Sequence, residues 1–140
     1  MTKNPICEYN GATLAYIGDA VIELLIREAL VASGICDAGR LSAQAQKLVC
    51  AKVQSDIAER LQESFTAEEE AAYRLGRNHH ASNRPKSATA AEYSRATGLE
   101  AVFGYLHITG ERERLLVLFE TAYQPLLNTR AAHDDFISLL

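Results

Sequence analysis

Asp19 is a carboxylate in unlikely surroundings. It lies within LAYIGDAVIELLI, the most apolar stretch of the chain. An ionised carboxylate without a partner is too costly to bury, so Asp19 requires a cation, hydrogen-bond donors or water. Gly18 precedes it. Glycine inside a helix costs about 1 kcal/mol relative to alanine, which makes sense if another group must approach the backbone closely. Glu23 follows four residues on and shares the helix face, where Ala12 and Ala15 leave space. Such a pair serves either a structural ion pair with Arg or Lys from another helix or a bound cation.

Glu100 is the second candidate. Gly104 and His107 fall on its helix face, and Gly104 would leave room beside the carboxylate. Glu100 also stands three residues after Thr97, the spacing of a capping box, in which its side chain would only satisfy backbone donors. Two carboxylates from different helices beside open space suit a hard cation such as Mg2+, which often takes one or two protein carboxylates and keeps several waters.

Charge is segregated along the chain. Residues 74–95 hold Arg74, Arg77, Arg84, Lys86 and Arg95 against Glu92 alone. Residues 56–70 hold six acidic side chains against Arg60. The basic stretch includes Asn78, Ser82, Asn83 and Ser87, types that hold phosphates and sugars. It reads either as such a surface or as an ordinary solvated loop. No aromatic series accompanies it, which disfavours recognition of single strands by base stacking. His79 and His80 lack metal-ligand spacing, and His107 reads as a packing or outer-shell residue. No phosphate-binding glycine loop or nucleophile elbow is present. Cys7, Cys36 and Cys50 are odd in number and without CxxC spacing, so they read as free thiols.

These residues need helices to position them. The chain is rich in Ala, Leu and Glu and poor in strand-like alternation, so the expected fold is all-α. The first helix is predicted from about Asn10 to Ser33, with Leu14, Ile17, Val21, Leu24 and Leu25 as its main stripe. Ile22 and Ile26 broaden that stripe, as suits the centre of a bundle or a dimer interface. A second helix is predicted over Leu41–Glu63, and a third from a Thr66/Glu69 capping box to about Arg77. After a loop at 78–88, the pairs Thr89/Glu92 and Thr97/Glu100 predict a short helix and a separate one to about Thr109. The last helix is expected over Glu111–Asn128, with Leu115, Leu118, Phe119 and Ala122 inward. The tail after Pro125 is left open.

The 140 residues suit one domain, with no room for an appended RNA-binding module. No apolar run reaches the roughly 20 residues of a membrane span, and the N-terminus lacks a leader pattern. A soluble cytoplasmic protein with no membrane partner is expected. The net charge of −4 disfavours a protein that coats nucleic acid with its whole surface, but allows a local basic patch.

Two motifs carry a family resemblance. LAYIGDAVIELLIREAL, with Asp19 after Gly18, resembles the signature helix of ribonuclease III catalytic domains. ATGLEAVFGYLHITG, with Glu100, resembles that family's second acidic helix. Between them, RLGRN at 74–78 and PKSATAAEY at 85–93 look like the intervening segment of the Mini-ribonuclease III branch. The resemblance runs from about residue 10 to residue 124, within a single domain over 1–140.

It implies an all-helical, homodimeric endonuclease that hydrolyses double-stranded RNA with Mg2+. The branch's typical substrate is precursor large-subunit (23S) ribosomal RNA. Asp19 and Glu100 take the places of metal ligands and catalytic carboxylates, with Glu23 a candidate outer-shell residue. Arg77, Asn78 and Lys86 are expected to grip RNA phosphates, with Lys47 and Lys52 beside them. Other ribonuclease III sequences carry further acidic residues where this chain has Ala12, Ala15 and Thr97. Two rival readings stay open: a catalytically inactive ribonuclease III fold acting as an RNA-binding or ribosome-associated scaffold, and a plain helical interaction domain with all its carboxylates salt-bridged.

Overall fold

The first helix, α1 (Gly11–Ala32), begins where Asn10 Oδ1 accepts the Thr13 N–H at 2.8 Å. It ends at Ser33, ahead of Gly34 at φ +101°, a left-handed conformation that glycine adopts without strain. This is the helix the sequence predicts, and the computed structural model describes it within residues 9–79 and 88–139, with side chains through Leu127. Among the described residues the secondary structure is entirely helical.

The inward face of α1 carries Leu14, Ile22, Leu25, Ile26 and Leu30. Leu24, expected in the main stripe, points outward instead, as do Tyr16 and Val31. The centre of the fold is a different helix, α5 (Ala90–Ile108), which packs on α1, on α4 (Ala67–Arg77) and on α3 (Ala51–Leu61). Its middle is buried around most of its circumference, from Ala96 through Leu99, Val102 and Phe103 to Leu106. A helix apolar on several sides belongs in the interior.

The predicted second helix is two helices. α2 (Ala38–Val49) and α3 meet at Cys50, whose backbone is extended at φ −68° and ψ 153°. No proline or glycine marks this break. Packing explains it: α2 lies on α1, whereas α3 lies on α5. A straight rod could not place Leu48 and Ile57 in the same core.

α4 opens with the predicted capping box, in which Thr66 and Glu69 satisfy each other's backbone N–H. Thr89 and Glu92 do the same for α5. The third predicted box does not form. Thr97 lies inside α5 and donates its hydroxyl to the Tyr93 carbonyl at 2.8 Å, so one continuous helix replaces the predicted two.

The last helix, α6 (Arg112–Leu139), runs past the expected end and contains Pro125. Proline brings no N–H to the carbonyl four residues earlier. That carbonyl is Thr121's, and Arg60 donates to it at 3.0 Å and to the Ala122 carbonyl at 2.8 Å. A side chain from α3 thus takes up the acceptor that the proline frees. Leu115, Leu118, Phe119 and Ala122 face inward, as predicted.

Candidate active site

α1 and α5 touch backbone to backbone. A methyl group on Gly18 would collide with the Glu100 carbonyl, and one on Gly104 would collide with the Leu14 carbonyl. The cost of Gly18 is therefore explained by close approach, as its position suggests. Gly104 serves the same seam rather than leaving room beside a carboxylate.

The seam brings Asp19 and Glu100 together. Asp19 is exposed rather than buried as its apolar sequence suggests, because it sits on the outer edge of the α1 stripe. It lines an open cleft of about 270 Å³ with Ala12, Ala15, Tyr16, His79, Tyr93, Thr97 and Glu100. Burial pushes the Glu100 carboxyl up to about 9, and the hydrogen bond to Asp19 and that carboxylate's charge push in the same direction. At neutral pH Glu100 therefore keeps its proton and shares it with Asp19. Because Thr97 is not a helix cap, Glu100 has no backbone donors to satisfy and its carboxyl belongs to the cleft.

The small side chains at Ala12 and Ala15 leave the cleft open above this pair. No cluster of three or more Asp, Glu, His or Cys side chains able to hold a metal occurs among the described residues. The donor set is two carboxylates. That suits a cation that keeps most of its water, as Mg2+ does, and it does not suit a structural zinc.

A second hollow of about 400 Å³ opens on the other side of Glu100. Cys50, Lys52, Gln54, Ala88 and Ala96 line it, and Tyr93, Thr97 and Glu100 belong to both hollows. Lys52, in the first turn of α3, is thus brought to the groove beside Glu100, while Lys47 is exposed in the last turn of α2 outside it. Sequence reasoning ranked the two lysines alike, since only the break at Cys50 separates them.

The other candidates fall elsewhere. Glu23 accepts from Arg27 Nε at 3.1 Å and Nη2 at 2.8 Å and borders a separate hollow with Leu30, Leu41 and Ala45. Arg77 is half-buried with its guanidinium 5.6 Å above the Tyr73 ring. Asn78 caps α4 and, with Arg74 and His79, lines a hollow at the start of α1. Lys86 lies outside the described residues, with most of the predicted loop. Two arginines of the basic stretch are already engaged: Arg74 with Glu70 at 3.4 Å, and Arg95 with Ser55 at 2.7 Å and Glu59 at 3.2 Å. His107 is exposed and lines neither hollow beside Glu100. Sequence reasoning missed Tyr16, His79 and Tyr93 as cleft residues, because nothing in their spacing relates them to Asp19. Cys36 and Cys50 are free and exposed; Cys7 lies outside the described residues. No helix among the described residues is long and apolar enough to cross a membrane.

This helical fold with an acidic pair on its central seam matches the family model of the ribonuclease III domain over residues 12–111. The chain belongs to the ribonuclease III family, and its relatives make it an endoribonuclease of the Mini-ribonuclease 3 type. The Mini-ribonuclease 3 of Symbiobacterium thermophilum is 40% identical over 110 residues, covering 79% of this chain and 85% of the relative. That of Streptococcus pneumoniae is 43% identical over 108 residues, covering 76% and 84%. A crystal structure of a protein from Fusobacterium nucleatum superposes with a TM-score of 0.79 at 28% identity, covering 88% of this chain and 98% of the other.

Proposed function

We propose that the chain forms a single catalytic domain over residues 1–140 and hydrolyses phosphodiesters in double-stranded RNA with Mg2+. The observation that carries this reading is the meeting of Asp19 and Glu100 in one cleft across a glycine seam. Two carboxylates that cannot both ionise unaided are the chemistry a divalent cation relieves. Asp19 and Glu100 would hold the ion, and a bound Mg2+ would supply charge neutralisation at the phosphate and a more acidic water.

The chain's own residues do the rest. Asp19 presents its carboxylate at the open side of the cleft. Glu100 would give up its proton to hold such an ion. Lys52, which lines the groove beside Glu100, would face the phosphates, and Arg77, Asn78, Lys86 and Lys47 would extend the grip outward. Duplex RNA is read mainly by shape, 2′-hydroxyls and phosphates, so base preference from these side chains is slight. The substrate is precursor 23S ribosomal RNA in the cytoplasm. Glu23 serves as an indirect support of the site, through its charge and its pair with Arg27.

The protein works as a homodimer. Tyr16, Leu24 and Val31 are 79%, 59% and 58% exposed along one side of α1, a pattern suited to a partner helix. Tyr16 also borders the Asp19 cleft, so a second copy on this stripe would lie beside the site and give one site per RNA strand. The reading as an inactive RNA-binding scaffold draws on the short donor set.

Cleavage of a duplex RNA by wild type and by Asp19→Asn, with and without Mg2+, separates the two. Cleavage by wild type that needs both Asp19 and Mg2+ supports the enzyme. RNA binding without cleavage supports the scaffold.

A further inference from the structure

Two buried polar side chains have no hydrogen-bonding role in the fold. Tyr123 on α6 is 0% exposed and Gln54 on α3 is 3% exposed. The Tyr123 hydroxyl and Gln54 Nε2 are both buried without a hydrogen-bond partner. Buried donors left unpaired destabilise a protein and are uncommon in native folds. Apolar side chains of similar size at either position would remove that burden.

Their placement accounts for them. Gln54 lines the same hollow as Glu100. Burial raises the Tyr123 hydroxyl above its usual range; Gln54 lies close enough to lower it, and the charge of Glu100 raises it again. The three side chains therefore share one low-dielectric neighbourhood. Arg95, whose partner Ser55 adjoins Gln54 in sequence, is committed to Ser55 and Glu59. Among the described residues, Gln54 Nε2 and the Tyr123 hydroxyl are the buried side-chain donors left without a partner.

We propose that Gln54 and Tyr123 are positioning residues for Glu100: the Gln54 amide N–H and Tyr123 O–H donate to its carboxylate, holding one oxygen back and turning the other toward Asp19. Ligating carboxylates are commonly held by such outer hydrogen bonds, and loss of one typically costs about 10–100-fold in metal affinity. The proposal rests on the reading of Asp19 and Glu100 as the metal site.

The test is Mn2+ binding to the RNA-free protein, measured calorimetrically for wild type, Glu100→Gln, Tyr123→Phe and Gln54→Met, alongside thermal unfolding in chelator. The expected result is binding by wild type, near-complete loss in Glu100→Gln, and binding about tenfold weaker in Tyr123→Phe and in Gln54→Met. Both positioning variants keep or raise the unfolding temperature without metal, because each removes an unpaired buried donor. The double variant binds no worse than about twice the weaker single, since both donors act through one carboxylate. Wild-type affinity in both Tyr123→Phe and Gln54→Met overturns the positioning role while leaving the metal site intact. Equal binding by wild type and Glu100→Gln overturns the metal-site reading itself. Should Gln54→Met unfold, Tyr123→Phe, which deletes one oxygen, decides the matter alone.

Discussion

Glu69 and Glu100 are the same residue in the same sequence pattern, each three residues after a threonine, and they have opposite fates. Glu69 is 1% exposed and fully compensated. It caps α4 through the Thr66 N–H at 3.0 Å, and Arg114 donates to it from Nε and Nη2, both at 2.9 Å. Glu100 faces another carboxylate and keeps its proton. A buried charge that has its partners is architecture. A buried acid whose nearest charged neighbour has the same sign is held there by the rest of the fold, and it is the one available to a ligand.

The comparison breaks first on activity. Asp19→Asn and Glu100→Gln are each expected to lower duplex-RNA cleavage by about three orders of magnitude or more, as removal of principal catalytic groups does, while the unfolding temperature holds or rises. Glu69→Gln is expected to do the reverse. Removing one member of a buried pair costs about 3–5 kcal/mol, which urea unfolding will register, and the folded fraction retains its cleavage rate.

A smaller effect is expected at the seam. Gly18→Ala or Gly104→Ala forces two backbones apart, and overpacking of this kind costs about 1–3 kcal/mol. Here stability and cleavage fall together, unlike at either glutamate, because the seam sets the spacing of Asp19 and Glu100.

A further effect is in pH. The folded Glu100 has its pKa raised from 4.5 to about 9, so between those values the folded state binds more protons than the unfolded one. Stability is therefore fully present below the unfolded value and declines as pH rises toward the folded one. Metal-free wild type should therefore lose unfolding temperature steadily as pH rises through that window. Glu100→Gln should lack this component, whereas Glu69→Gln should keep it.

The pattern of a threonine followed by glutamate at the third place occurs three times, and it shows what could be read from the sequence. At Thr66 and Thr89 it caps a helix, as local chemistry predicts. At Thr97 it does not, because the helix begun at Ala90 is already running and the hydroxyl turns back to Tyr93. The helical class and the start of α1 were legible, since caps are local; that Asp19 and Glu100 meet followed only from the family resemblance, because spacing along the chain does not place two helices side by side. The break at Cys50 was not, because it answers to where α1 and α5 lie. The passage of α6 through Pro125 was not either, since its remedy is an arginine more than sixty residues away in sequence. Asp19 looked buried because an apolar run conceals which side of its helix faces out.

The glycine seam also determines how the molecule can vary. Most distances inside a protein depend on side chains, which can choose other rotamers when neighbours change. The gap between Asp19 and Glu100 is gauged by peptide groups in contact, which have no rotamers to choose. Core positions such as Ile57 or Leu118 can therefore be rebuilt for greater heat resistance without recalibrating the acidic pair, whereas the seam itself admits no such freedom.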